Sequence, residues 1–346
     1  MEVRETVLVT GVSGFVAKYV ALALLNKGYK VRGTLRSSAK EDLVRNDLLE
    51  AGANIDHLSF VIANLTSDDG WDAAVEGCDY VQHVASPFPL EQPRHKEALV
   101  PEALGGTMRV LNAALKANVK RVVLTSSIAA MMYRAGRPRT EFHFSENDWS
   151  DPEWSETHPY SVSKTRAELA AWDWAEKAGR EKLVVINPGV VVGPIMGKDA
   201  STSTEIIKMM LEGTMPKTLP IANPLVDVRD LAELHVVAME LNEAGGRRLI
   251  GTSGTLSFGE IAQLLSKEYP QLKDKIPQSD FSPFLVGLMK LFVPGVRTIR
   301  AEVGIRSIAN ADYVSELTGV SFRPVEEAVL ATARSILGRV DQKPQP

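Results

Sequence analysis

Residues 6–17, Thr6-Val7-Leu8-Val9-Thr10-Gly11-Val12-Ser13-Gly14-Phe15-Val16-Ala17, set a β-branched run directly against a G-x-x-G-x-x-A loop and the start of an apolar helical stretch. A strand, a tight glycine turn and a helix in that order make the phosphate-cradling element of dinucleotide-binding folds. Gly11 permits the turn, Gly14 lets the backbone approach a pyrophosphate, and small Ala17 lets the helix lie close on the sheet. The helix start then directs N–H groups and the positive end of its dipole at the phosphates. Ser13, Phe15 and Val16 share the loop with the two glycines and join them as cofactor-binding candidates.

Outward from this element the chain keeps the same rhythm. Strand-like runs at 6–10, 30–35, 58–63, 80–85, 121–126 and 183–188 alternate with helical stretches near 15–27, 39–50, 70–76, 96–117 and 160–178. Such alternation predicts βαβ units with right-handed crossovers, hence an α/β, Rossmann-type doubly wound parallel sheet. After Pro194 the pattern changes to helices near 204–213, 228–242, 258–268, 284–292 and 325–337, joined by short extended pieces such as 247–252. This part reads as a smaller, mainly helical C-terminal substrate lobe over the carboxyl ends of the sheet, where open α/β folds bind ligands. The expected division is a cofactor domain over 1–192, rejoined by parts of 225–255, a substrate lobe over 193–338 and a flexible tail over 339–346.

The 346 residues suit about two domains at ~150 residues each. With 45% hydrophobic and 24% charged residues, the composition excludes disorder and fibrous repeats. A formal charge of -4 provides no strong field for nucleic acid or anionic lipid. The one cysteine, Cys78, offers neither a disulfide nor metal-ligand spacing, so no metal is expected, and Cys78 reads as a core or loop residue. The N-terminus lacks the pattern of a signal peptide, and the apolar stretch 284–296 is too short and interrupted to span a bilayer. A cytoplasmic protein is expected, monomer or homodimer, with a small-molecule substrate, no nucleic acid and no membrane.

The end of the second predicted strand reports on the cofactor, because an acidic side chain there would hold a ribose 2′-hydroxyl and repel a 2′-phosphate. Leu35 and Arg36 stand there instead, and Lys40 follows in a helix start read as a capping box, Ser38-x-x-Glu41. Both cations suit a 2′-phosphate, which favours NADPH/NADP+ over NADH. Asn64-Leu65 ends the third strand as an adenine-pocket candidate, and Val84, Ala85 and Ser86 end the fourth, where small residues let a cofactor lie against the backbone. His83, inside that strand, reads as a hydrogen-bonded core histidine rather than a ligand.

The chemistry concentrates in Tyr160-Ser161-Val162-Ser163-Lys164 and in Thr125-Ser126-Ser127 at the end of the fifth strand. One turn apart on a helix, Tyr160 and Lys164 share a face. The ammonium is expected to lower the phenol towards neutrality, where a general acid works best. Tyr160 would protonate a carbonyl oxygen while the cofactor delivers hydride, and Ser127 would hydrogen-bond that oxygen. Lys164 and Thr125 would also touch the cofactor.

These strings, in this order, resemble the extended short-chain dehydrogenases/reductases over nearly the whole chain. Within them, VTGVSGFVAKYV, GYKVRGTLRS, HVASP, VLTSSIAA, YSVSKTRAELAAW and NPGVVVGP are similar to the dihydroflavonol reductases, cinnamoyl-CoA reductases and yeast-type carbonyl (methylglyoxal) reductases. The resemblance implies a Ser-Tyr-Lys triad at Ser127, Tyr160 and Lys164, and 4-pro-S hydride transfer from NADPH. It also implies nicotinamide contacts from Pro188, Val190 and Val191, and a hydroxyl near the phosphates at Ser203.

Three departures narrow the substrate. Met132 stands where dihydroflavonol reductases carry an Asn, Pro224 where they carry a Gln, and HPYSVSK replaces the NWYCYGK of cinnamoyl-CoA reductases. An NADPH-dependent carbonyl reductase for ketones or aldehydes is therefore expected, with an apolar pocket formed by Phe88, Met131, Met132, Tyr133, Val190 and Leu225. The alternatives are a dihydroflavonol-4-reductase-like enzyme, an NAD-dependent sugar-nucleotide epimerase or dehydratase, and a non-catalytic NADP(H) sensor. The stretch 284–292 reads as a lid, a dimer surface or a buried helix.

Overall fold

The computed structural model describes residues 5–86, 93–197, 202–289 and 299–340. Its main sheet is built from β1 (Thr6–Val9), β2 (Lys30–Leu35), β3 (Leu58–Ile62), β4 (Tyr80–His83), β5 (Arg121–Thr125), β7 (Leu183–Pro188) and β10 (Arg248–Gly251). All neighbours are parallel, in the order β10-β7-β5-β4-β1-β2-β3. Chain order runs outward from β1 to β3, then restarts at β4 on the other side. The topological switch point thus lies between β1 and β4, and it opens a crevice beyond their carboxyl ends.

Alternation along each strand sends side chains to two cores. Val7, Val9, Val123, Val184 and Ile186 face one side, Leu8, Val122, Leu124, Leu183 and Val185 the other. The first face is covered by α1 (Phe15–Asn26), α2 (Glu41–Glu50) and α7 (Val228–Glu240). The second is covered by α3 (Trp71–Val75), α4 (Val100–Lys116) and α5 (Pro159–Ala178). The fully buried strands are near-continuous apolar runs, as a sheet covered on both faces requires.

The second part of the chain holds more strand than its sequence suggested. β8 (Val190–Val192), β9 (Ala222–Asp227), β11 (Gly254–Ser257) and β12 (Arg306–Ala309) form a second sheet with β6 (Glu141–Phe144), in the order β11-β9-β12-β6 with β8 beside β9. These strands run only three to six residues, too short for a period to stand out in sequence. Around them pack α6 (Thr202–Glu212), α8 (Phe258–Glu268) and a closing helix over Val325–Val340. The expected capping box at Ser38 is not formed. Ser37 instead caps a single 3-10 turn over Ser38–Lys40, and a capping box is formed by Ser257 with Glu260.

The stretch 284–292 is described as far as Met289, in α9 (Pro283–Met289); Phe284, Leu285 and Leu288 are exposed and Val286 is buried. Its remainder, together with Phe88 and the tail after residue 340, lies outside the described residues. No helix among the described residues is long and apolar enough to cross a membrane.

Candidate active site

A cleft of about 590 Å³ runs along the carboxyl ends of β1, β2, β4, β5 and β7. At its floor Gly11 adopts φ +62°, and a Cβ there would stand 2.8 Å from that of Ala85. Only glycine satisfies both the turn and the close approach to the end of β4. The Gly11 N–H donates to Thr34 Oγ1 at 2.8 Å, and the Gly14 N–H to the Gly11 carbonyl at 2.9 Å, which fixes the loop. Val12 fills the space over Gly33, where a Cβ would come within 2.4 Å of it. α1 starts at Gly14 with no side-chain cap, so its first N–H groups are left to whatever the cleft holds.

Gly11, Ser13, Gly14, Phe15 and Val16 all line the cleft, as do Arg36, Asn64 and Leu65. Arg36 is exposed on the wall; Lys40 is also exposed but lies outside the lining, beyond the turn that Ser37 caps. The Asn64 side-chain oxygen accepts the Thr66 N–H at 3.2 Å, and the Trp71 indole donates to the Asn64 carbonyl at 3.1 Å. Trp71 and Glu102 line the same end without having been anticipated. Val84, Ala85 and Ser86 form the next stretch of wall, steadied by the Ala85 N–H donating to Thr10 Oγ1 at 2.9 Å. That hydroxyl also meets His83 Nδ1 at 2.9 Å, and burial drives His83 down to about 3, so it is a neutral core histidine. Cys78 is likewise buried, its thiol pushed up by burial and directed at the Ala74 carbonyl.

At the far end the cleft is bounded by Thr125, Ser126, Ser127, Tyr160, Lys164, Pro188, Gly189, Val191 and Ser203. Ser127 follows β5 and caps a 3-10 turn over Ile128–Ala130, its Oγ accepting the Ala129 N–H at 3.1 Å. Tyr160 sits in the first turn of α5, capped by His158, whose ring stacks on the tyrosine at 6.2 Å between centroids. The Tyr160 phenol hydrogen-bonds Ser127. Lys164, one turn on, donates from Nζ to the Thr125 carbonyl at 3.1 Å and lies 5.9 Å from the centre of the Tyr160 ring.

The electrostatics differ from the expectation that the lysine would lower the phenol. Burial pushes Tyr160 up to about 12, opposed by its bond to Ser127, and pushes Lys164 down to about 8. Desolvation outweighs the opposing contributions, from Ser127 at the tyrosine and from Glu168 at the lysine. The consequence is a tyrosine that keeps its proton, the form needed to donate one.

Five expected pocket residues need correction. Met131, Met132 and Tyr133 are at most 3% exposed and pack behind Tyr160 with Phe142, Phe144 and Ile250, because the 3-10 turn after Ser127 rotates them inward. Leu225 is buried in the core of the second part, against which Val190 also packs, so neither faces the cleft. One functional candidate had been passed over. Glu168 lies a turn beyond Lys164 and accepts from Ser126 Oγ at 2.5 Å. Its signal was the continued spacing of four from Tyr160 through Lys164.

The NAD dependent epimerase/dehydratase family matches residues 7–251 of the chain. Cinnamoyl-CoA reductase 1 of Petunia hybrida is 38% identical over 269 residues, 77% of this chain and 78% of that protein. Tetraketide alpha-pyrone reductase 2 of Arabidopsis thaliana is 34% identical over 303 residues, 85% of this chain and 93% of that protein. Among solved structures, the yeast methylglyoxal/isovaleraldehyde reductase Gre2 complexed with NADPH superposes with a TM-score of 0.78 at 27% identity, covering 98% of this chain and 100% of that one. Gre2 of Candida albicans in complex with NADPH gives 0.80 at 29% identity, covering 97% and 99%.

Proposed function

The chain belongs to the NAD dependent epimerase/dehydratase family and is an NADPH-dependent oxidoreductase; from that premise we propose that it reduces a ketone or aldehyde to an alcohol, with Tyr160 as general acid. The observation that carries this reading is the meeting of Ser127, Tyr160 and Lys164 on one wall of the cleft whose floor is the Gly11–Val16 loop. The cleft suits the cofactor: a glycine cradle that a Cβ would fill, an uncapped helix start, and Arg36 at the end of β2 in place of an acid. Bound NADPH supplies the hydride that reduces the carbonyl carbon.

The remaining work falls to the chain's own residues. Gly11, Gly14 and the start of α1 hold the phosphates, and Arg36 takes a 2′-phosphate with its planar fork. Asn64 and Leu65 flank an adenine, Pro188 and Val191 border the nicotinamide side, and Ser203 stands near the phosphates. Ser127 donates to the substrate oxygen and orients it. Tyr160, protonated at neutral pH by virtue of its burial, gives that oxygen its proton, and Lys164 stabilises the phenolate left behind. The cofactor-holding part extends to about residue 192 and is rejoined by parts of 225–255, and the rest of the chain beyond 192 closes the substrate end of the same cleft.

NADPH oxidation followed at 340 nm against ketones, aryl aldehydes, dicarbonyls, dihydroflavonols and a hydroxycinnamoyl-CoA tests this reading. Turnover of the carbonyls with Tyr160→Phe reduced by about 10²- to 10⁴-fold is expected. No turnover of any carbonyl, or a Phe variant as active as the parent, would refute it. Turnover of the thioester alone would replace it with acyl-CoA reduction.

A further inference from the structure

Tyr160, Lys164 and Glu168 follow one another at intervals of four along α5, so all three lie on one helical face. Glu168 is 1% exposed. Its carboxylate accepts from Ser126 Oγ at 2.5 Å, from Asn187 Nδ2 on β7 at 2.8 Å, from Arg248 Nε on β10 at 2.6 Å and from the Trp172 indole at 3.4 Å. A charge buried this deeply survives only with such partners, and a glutamine would satisfy part of the same geometry without the desolvation cost. The Arg248 guanidinium pairs with this charge from β10, and Lys164 stands one turn back on the same helical face.

Around Lys164 stand His83 from β4, neutral through burial, the Thr125 carbonyl and Ser126 from β5, and Ala103 and Thr107 from α4. His235 of α7, also held near 3 by burial, backs Thr125 through its hydroxyl. Glu102 lies exposed at the cleft, and Arg248 reaches Glu168 from β10. Within this set, among the described residues, Glu168 is the buried anion.

We infer that Glu168 is a positioning residue for the reaction: its fixed, buried carboxylate keeps the Lys164 ammonium charged beside Tyr160, while its bond to Ser126 anchors the strand end that carries Ser127. The inference rests on the reading of Tyr160 as proton donor, because a charged Lys164 is what steadies the phenolate once the proton has gone. Burial drives the lysine down, and with Glu168 opposing that fall it comes to rest at about 8. Without the carboxylate the ammonium would be lost nearer neutrality, and the reaction would fade from the alkaline side inward.

The test is a pH titration of lysine-labelled protein by NMR, with the Lys164 resonance assigned from a Lys164→Arg variant and no carbonyl present. In Glu168→Gln the Lys164 midpoint is expected to fall by about one pH unit or more, and in Glu168→Asp to stay close to the parent value. The alkaline limb of kcat should move with the midpoint while KM for NADPH changes little. An unmoved midpoint in the Gln variant, or an equal fall in the Asp variant, overturns the inference. Arg248→Gln, which removes the cation paired with Glu168, should raise the midpoint and decides the matter if the Gln variant does not fold; a fall or no change there overturns it. Should the parent reduce no carbonyl, the proposed activity fails while the titration still answers for Glu168.

Discussion

Arg36 stands exposed at the end of β2 on the wall of the cleft, and the residue before it, Leu35, is buried. A carboxylate at this point would select against a 2′-phosphate; an arginine offers a fork that matches one. A charge-assisted pair is worth roughly 1.5–3 kcal/mol. Arg36→Ala should therefore raise KM for NADPH by about tenfold or more while leaving KM for NADH almost unchanged, which steady-state kinetics with both cofactors measures. An equal change for the two cofactors would remove Arg36 from the phosphate. Ser127, Tyr160, Lys164 and the loop glycines were legible as residues because a turn, a helical spacing and a strand end each demand particular side chains at particular intervals. The direction of the Tyr160 shift was not legible, since spacing reports proximity to Lys164 but says nothing of how deeply both groups are buried. For the same reason Met131, Met132 and Tyr133 were assigned to a pocket wall: hydrophobic character does not reveal which side of a 3-10 turn a side chain takes.

Among the elements, the strand-loop-helix at the N-terminus depends on the one backbone position where conformation and space coincide. Gly11→Ala adds a Cβ at φ +62° and drives it to 2.8 Å from the Cβ of Ala85. The substitution should weaken NADPH binding by about tenfold or more, because the loop must lift off the end of β4, while the cores on either face of the sheet are left intact. Fluorescence titration of NADPH beside a thermal melt checks this; unchanged affinity would mean that the loop does not carry the phosphates. Six strands of the main sheet were legible because buried parallel strands and amphipathic helices differ strongly in pattern, whereas β10 read only as a short extended piece at 247–252. β6 carried a short alternating signal, with Phe142 and Phe144 inward and Glu141 and His143 outward, yet four residues fell below what a period can establish. β8, β9, β11 and β12 obtain their pairing from one another rather than from local pattern, so the second sheet becomes apparent only when the partners are seen together.

At the scale of the molecule, the chain leaves the main sheet after β7, builds β8, α6 and β9, and comes back to supply α7 and β10. α7 covers β5, β7 and α1, and its C-terminal carbonyls of Ala238 and Met239 accept from the Arg121 guanidinium on β5. Leu231, Leu234, Leu249 and Ile250 on these two elements are fully buried. At about 1.5–3 kcal/mol each, their burial together contributes roughly 6–12 kcal/mol. That is comparable to the whole stability of an ordinary domain, about 5–15 kcal/mol. A fragment ending at residue 193 should accordingly fail to give a dispersed NMR spectrum or bind NADPH, although it contains Ser127, Tyr160 and Lys164; a folded, NADPH-binding fragment would show that α7 and β10 are dispensable.

The late return of β10 also has a consequence for the birth of the chain. On the ribosome, Pro188 at the end of β7 emerges well before Gly251 at the end of β10, and at about 5–20 residues per second the gap lasts roughly 3–13 s. During that interval the outer edge of β7 presents free N–H and C=O groups, and the face that α7 will cover is bare. A nascent chain in that state is a template for pairing with its neighbours on the same message. The yield of this protein in a cell should thus depend on how quickly about sixty residues follow β7 out of the tunnel, and on whether a chaperone shields the edge meanwhile.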